Sequence, residues 1–202
     1  MPTIRPYRPG DHDAVHEICI ATADAGGDAR PAFREPDLFP ETFAHPYTTL
    51  DPELAFVLDD GGQAVGYVVG TADTARFVQR VRDEWLPLVR DRHPAGSDQP
   101  ATAEDAIRHL LHHPEHRFVP GLDLGGYPAH LHIDLLPPYQ RSGHGRALIE
   151  TELAALRAAG AAGLHIGMLT ANTGARPFYE RLGFAVLDVP DPGPVTYFGM
   201  KL

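Results

Sequence analysis

Residues 130–145 read His130-Leu131-His132-Ile133-Asp134-Leu135-Leu136-Pro137-Pro138-Tyr139-Gln140-Arg141-Ser142-Gly143-His144-Gly145. In the first six, Leu131, Ile133 and Leu135 alternate with His130, His132 and Asp134, the period of two that marks a strand with unlike surroundings on its two faces. Beyond Gly145, Leu148, Ile149, Leu153 and Leu156 fall at near-helical spacing and Gly160 stands where a helix would stop, which predicts a helix of about four turns. The stretch is therefore strand, glycine-bearing loop, helix. Gly143 and Gly145 carry no side chain to keep a ligand from the backbone, so successive N–H groups and a positive helix terminus are left facing outward. Such a loop suits an anion, above all a pyrophosphate.

The spacing excludes two common phosphate loops. A nucleoside-triphosphate loop needs Gly-x-x-x-x-Gly-Lys-Ser/Thr, and a dinucleotide site needs three glycines in six residues. Gln140-x-x-Gly143-x-Gly145 instead resembles the coenzyme A pyrophosphate loop of the GNAT acetyltransferases. The chain beyond the loop helix is similar to the rest of that family's core, in the family's order: a second strand from Leu164 to Leu169, then Asn172, then a helix carrying Phe178-Tyr179-Glu180-Arg181-Leu182-Gly183-Phe184. The resemblance implies an α/β (α+β) fold of the GNAT type, a central mixed, mostly antiparallel sheet flanked by helices. It also implies acetyl-CoA held by Gln140, Arg141, Ser142, Gly143, His144, Gly145 and Arg146 together with Leu135, Leu136, Asn172 and Tyr179.

Outward from this core, Thr3 to Tyr7 predicts an opening strand. Asp11 is placed to cap a helix with Val15, Ile18, Cys19 and Thr22 on its inner face. Residues 26–52, rich in Pro, Gly and aromatics (Phe33, Phe39, Phe43, Tyr47), read as loop with one or two short helical turns; in the GNAT family this region overlies the acceptor. Leu54 to Leu58 and Ala64 to Gly70 form a hairpin about a glycine turn. The segment from Thr71 to Gly126 exceeds the usual connection between the third and fourth GNAT strands. It predicts two helices, one from Thr74 to Arg92 burying Phe77, Val81, Trp85, Leu88 and Val89, the other from Thr102 to His113 with Ile107, Leu110 and Leu111 inward. These apolar faces must bury against the rest of the chain or a second copy. Ala185 to Val189 and Val195 to Leu202 predict a closing hairpin.

From Val65 through Phe77, Trp85-Leu86-Pro87 and the helical insert to Asp134, the chain also resembles the acetyltransferase-like domain family found at the C-terminus of eukaryotic O-GlcNAcase. That domain lacks an intact coenzyme loop. Here Gln140, Gly143 and Gly145 are all present, so the resemblance does not imply inactivity.

A chain of 202 residues fits one domain with a helical insert at about 71–126. A formal charge of −10, from 17 Lys and Arg against 27 Asp and Glu, argues against nucleic acid or anionic membrane as partner. No apolar run approaches the roughly 20 residues of a membrane span. With a lone cysteine, Cys19, the expected setting is cytoplasmic. The spacing of the histidines, including His112, His113 and His116, matches no metal site.

Acetyl transfer from a thioester needs a proton acceptor for the amine, a donor to the carbonyl oxygen and a proton for the departing thiolate. By resemblance Tyr179 faces the coenzyme sulfur, and a phenol suits a thiolate. Asp134, near the end of the strand entering the loop, is the expected base and His132 the substitute. A main-chain N–H of Leu135 or Leu136 is the expected oxyanion donor, where Pro137-Pro138 ends the strand's pairing. The reading is an acetyl-CoA-dependent N-acetyltransferase for a small-molecule or peptide amine, monomeric or homodimeric; a non-catalytic acetyl-CoA-binding or sensing module is the alternative.

Overall fold

A computed structural model describes residues 1–202. In chain order the elements are β1 (Thr3–Pro6), α1 (His12–Thr22), α2 (Leu38–Phe43), α3 (His45–Leu50), β2 (Ala55–Asp60), β3 (Gln63–Thr71), α4 (Thr74–Arg80), a π-helical turn (Val81–Trp85), α5 (Leu86–Val89), α6 (Ala103–His112), β4 (Ala129–Leu135), α7 (His144–Ala158), β5 (Gly163–Leu169), α8 (Arg176–Arg181), β6 (Ala185–Val186) and β7 (Val195–Lys201). One seven-stranded sheet runs in the order β1-β2-β3-β4-β5-β7-β6. Every neighbouring pair is antiparallel except β4 and β5, which are parallel and meet only at Ala129↔Leu164 and His130↔His165. Beyond those two pairs the central strands part, and the sheet opens into a V.

Alternation along the strands sorts side chains into two cores. One packs Tyr67 and Val69 of β3 against α1, α2, α3 and the insert; the other packs Val68, Leu131, Ile133 and Leu135 against α7 and α8. The first arm of the closing hairpin is shorter than the expected Ala185 to Val189, since only Ala185 and Val186 form the strand that pairs with β7. Asp11 stands at the start of α1, but its carboxylate does not cap the helix. It accepts instead from Arg5 at 2.6 and 2.8 Å and from the Arg8 N–H.

The insert is part of the first core. Phe77, Val81, Trp85 and Val89 are buried there, and the Trp85 indole donates to the Glu41 carbonyl. Burial within the chain removes Phe77 and Trp85 as contacts for a second copy. Leu88, expected inward, is 61% exposed. The π-helical turn at Val81–Trp85 widens the helix there, so the buried stripe repeats every four residues and Leu88 falls outside it.

On the other face, Glu152 of α7 lies in the apolar stripe of Leu148 and Leu156 and is wholly buried, with neither carboxylate oxygen hydrogen-bonded. It sits over Gly70 of β3, where any side chain would collide with it. Burial pushes its carboxyl up to about 8.

No helix is long and apolar enough to cross a membrane.

Candidate active site

The V between β4 and β5 opens into a cavity of about 710 Å³. β4 lends it His130, His132 and Asp134, and α8 lends Tyr179. The opposite side comes from the end of α1, from Phe33, Phe39, Phe43 and Tyr47, and from Ile107 and Leu110 of α6. The aromatic loop thus does line the cavity. Ile107 and Leu110 are only partly buried because they face this space, whereas Leu111 is 1% exposed.

The 140–145 loop stands at the end of β4. Its Gln140 side chain turns back, and Nε2 donates to the Leu135 carbonyl at 2.9 Å. Arg141 and Gly143 have positive φ, 57° and 86°, which brings the chain round into α7. Nothing would touch a side chain at Gly143, so its glycine answers to backbone conformation and to open space beyond. Gly145 differs: a Cβ there would stand 3.4 Å from the Phe178 ring, so this glycine also lets α7 pack closely on α8. The first N–H groups of α7 have no partner within the helix, and no other carbonyl of the chain accepts from the N–H groups of Arg141 to Arg146. This is a free cluster of donors at a positive helix end, with Arg141, His144 and Arg146 around it, and it fits a pyrophosphate.

Strand parity decides which β4 amides face the gap. Leu136 N–H donates to the Val65 carbonyl at 3.0 Å, so it is spent on β3 and is not an oxyanion donor, contrary to one of the two expectations. In an antiparallel ladder the residues between bonded pairs point their N–H away from the partner. Leu135, opposite Gly66, is such a residue, and β5 has already parted from β4 at this level. Its N–H therefore faces the V.

Asp134 and His132 are brought together with a residue the sequence did not flag. Tyr67, directly across on β3, donates its hydroxyl proton to Asp134 Oδ2 at 2.6 Å. His132 Nδ1 lies 3.2 Å from the Tyr67 oxygen and 3.4 Å from the same Asp134 oxygen. With the Tyr67 proton given to Asp134, Nδ1 carries the imidazole proton toward these two acceptors and Nε2 is left with a free lone pair. The ring stacks on Phe43 at 5.4 Å and remains about one-third exposed, at 34%. Burial raises the Asp134 carboxyl above its ordinary value, opposed by the neighbouring His132 and by the hydrogen bond from Tyr67. Burial, and then the Asp134 charge, hold the Tyr67 phenol well above its usual range, so Tyr67 keeps its proton to donate. The only signal for Tyr67 in the sequence was a phenol inside an aliphatic strand.

His130, on the same face, is locked. The Thr74 hydroxyl gives its proton to the Pro128 carbonyl and so accepts from His130 Nδ1 at 2.7 Å, which leaves Nε2 to accept from the Tyr47 hydroxyl at 2.8 Å. Burial, then the charges of His165 and Arg117, drive its imidazole well below the ordinary value, and it stays neutral.

Tyr179 is packed among Phe178, Phe184 and Phe198, and its hydroxyl has no hydrogen bond within the chain. Burial and the Asp134 charge push this phenol upward, so it too is a protonated donor. Asn172 lines the cavity but does not cap α8. That helix begins at Arg176, and it is the Asn172 carbonyl that accepts, from Ala175 N–H.

A family model described as the acetyltransferase (GNAT) family matches residues 23–184. O-GlcNAcase of Rattus norvegicus is 27% identical over 183 residues, 90% of this chain and 20% of the rat protein, so the chain spans about a fifth of that relative's length. Among solved structures, SsHAT superposes with a TM-score of 0.93 at 56% identity, over 99% of this chain and 98% of SsHAT. A GNAT acetyltransferase from Brucella melitensis in complex with acetyl-CoA shares the fold, with a TM-score of 0.52 at 19% identity over 100% of this chain and 88% of its own.

Proposed function

Because this chain belongs to the acetyltransferase (GNAT) family, whose model matches residues 23–184, we propose that it transfers an acetyl group from acetyl-CoA to the nitrogen of a small-molecule or peptide amine by direct attack. The observation that carries this reading is one cavity holding a proton acceptor, the His132 Nε2 backed by Asp134 and Tyr67, together with an unpartnered protonated phenol, Tyr179. A module that only bound the coenzyme would need neither.

The free N–H groups of residues 141–146 take the pyrophosphate, and the parted strands take the pantetheine arm. Bound there, acetyl-CoA supplies an acyl carbon already activated as a thioester. Leu135 N–H is the donor aimed at the carbonyl oxygen as its charge grows. His132 Nε2 accepts the proton of the attacking amine, and Asp134 steadies the imidazolium that results while Tyr67 holds Asp134 in place. Tyr179 gives its proton to the departing thiolate.

The structure shifts the weight between the two expected bases. Asp134 has spent Oδ2 on Tyr67 and His132, whereas His132 has a free nitrogen in the cavity, so Asp134 acts as a positioning residue and His132 as the base. Steady-state kinetics test this. His132→Gln and Tyr179→Phe each lower turnover by roughly 10²- to 10⁴-fold with little change in coenzyme affinity. His132→Gln also erases the acidic limb of the pH–rate profile. Asp134→Asn keeps that limb while lowering turnover, because the ring loses the carboxylate that orients it. If Asp134→Asn erases the limb and His132→Gln spares it, the roles are reversed; if all three variants keep full turnover, the assignment is wrong.

A further inference from the structure

Lining the same cavity, and near enough to His130 for its charge to act there, stands a guanidinium that the transfer chemistry does not use. Arg117, from the segment after α6, donates from Nη2 to the Thr42 carbonyl at 2.7 Å and lies 6.0 Å from the Phe77 ring centre. Its Nη1 is buried without a hydrogen-bond partner.

The nearby imidazoles and the Tyr47 phenol each hold a partner within the chain. His130 gives its proton to Thr74 and accepts the Tyr47 proton. His165 Nδ1 meets the Tyr127 carbonyl at 2.9 Å. The Arg117 charge bears on this side of the cavity, helping to hold His130 neutral and working against the burial that raises the Tyr47 phenol. Of the acidic residues lining the cavity, Asp24 is exposed and Asp134 is committed to Tyr67 and His132. An ionised donor in a desolvated site calls for an acceptor; the Tyr47 oxygen and His165 Nε2 stand on this side of the cavity, yet Nη1 makes no hydrogen bond with either.

We propose that Arg117 receives a carboxylate of the acceptor, so that the substrate is a small amine that also bears an acid; this rests on the acetyl transfer proposed for the same cavity. The spacing sets its length. Arg117 bears on His130, which is two residues from the base His132 along β4, so the acid and the amine stand roughly 7 Å apart or more at about 3.3 Å per residue. An α-amino acid, whose two groups share one carbon, is too short to reach both ends; an ω-amino acid or an amine with the acid at the far end of its skeleton fits. One unpaired donor on one cation matches a carboxylate better than a phosphate dianion. The net charge of −10 acts at long range and does not decide what binds beside a buried guanidinium.

The test is calorimetric titration of the coenzyme-A-loaded protein with ω-amino acids of graded length, each beside its carboxamide and its phosphonate. One length of acid binds most tightly, and its carboxamide binds about 10- to 100-fold more weakly, the worth of a charged hydrogen bond. Arg117→Gln and Arg117→Met lose that advantage while carboxamide affinity and coenzyme affinity hold, measured below the melting temperature of each variant because the Thr42 contact is lost with the guanidinium. Arg117→Lys restores part of it. Equal binding of acid and carboxamide at every length, a preference that survives in Arg117→Gln, or a phosphonate that outbinds the carboxylate each overturns the proposal. If the acids bind as expected but are never acetylated, the transfer reading falls and the carboxylate site stands.

Discussion

The two walls of the cavity are built on different principles. The coenzyme side comes from one run of chain, β4 through α8: β4, β5 and α8 line the cavity, while the loop with positive φ at Arg141 and Gly143 and the free amides that open α7 stands beyond that lining, at the end of β4, and local rules shape it. The acceptor wall is assembled from the end of α1, the α2–α3 segment and the insert, pieces far apart in sequence that meet only by packing. Each wall is therefore vulnerable in its own way. A substitution in the first should change what binds before it changes stability, and a substitution in the second should do the reverse.

The largest effect is expected in the acceptor wall. Phe77 is fully buried, stacks on Tyr47 at 4.3 Å and carries Arg117 above it. Phe77→Ala should cost about 3 to 5 kcal/mol in urea denaturation. A loss below about 1 kcal/mol would mean that the insert merely leans on the first core, against the usual cost of such a cavity.

Gly143→Glu probes the coenzyme side. At a ligand concentration about 100 times Kd, acetyl-CoA should add roughly 2.7 kcal/mol to the native protein, and this variant should lose that gain by thermal shift. The apo protein should lose only about 1 to 2 kcal/mol, the penalty for a side chain at positive φ. An unchanged ligand shift would detach the coenzyme from this loop.

Glu152→Gln gives the smallest expected effect and concerns the core beneath the coenzyme wall. The unfolded carboxyl loses its proton near pH 4.3, whereas the folded one keeps it until about 8. Between those values the native state holds more protons, so its stability is fullest below the unfolded pKa and falls as pH rises toward the folded one. Glutamine, permanently neutral, removes this slope. It should be about 1 to 2 kcal/mol more stable than the parent at pH 8, the relief being partly offset by an unsatisfied amide. At pH 4 the gain should vanish. Parallel stability curves for parent and variant across this range would contradict a buried acid.

The same division governs how far the sequence could be read. The turn at Gly143, the β4 alternation and the helix after the loop were legible because each follows from neighbours a few residues away, whereas Tyr179 was singled out only by the family resemblance. Leu88 was misplaced because one π-helical turn changes the period, and nothing in the composition of Val81 to Trp85 announces it. Asp11 looked like a cap, but Arg5 offered it a stronger partner. Tyr67 and Arg117 were invisible as site residues, since Tyr67 matters only through the register with Asp134 and Arg117 only through a contact with Thr42.

Whether the two walls together make a catalyst is decided by thiol release from acetyl-CoA, followed with mass analysis of the amine across neutral, basic and carboxylate-bearing acceptors. One thiol should be released per amine acetylated, fastest on an amine that carries an acid at its far end, and the rate should fall at least about a hundredfold in His132→Gln while acetyl-CoA still binds. Tight binding of acetyl-CoA with no amine able to raise thiol release above background would refute catalysis, and would make this chain a binding module built on a catalyst's fold.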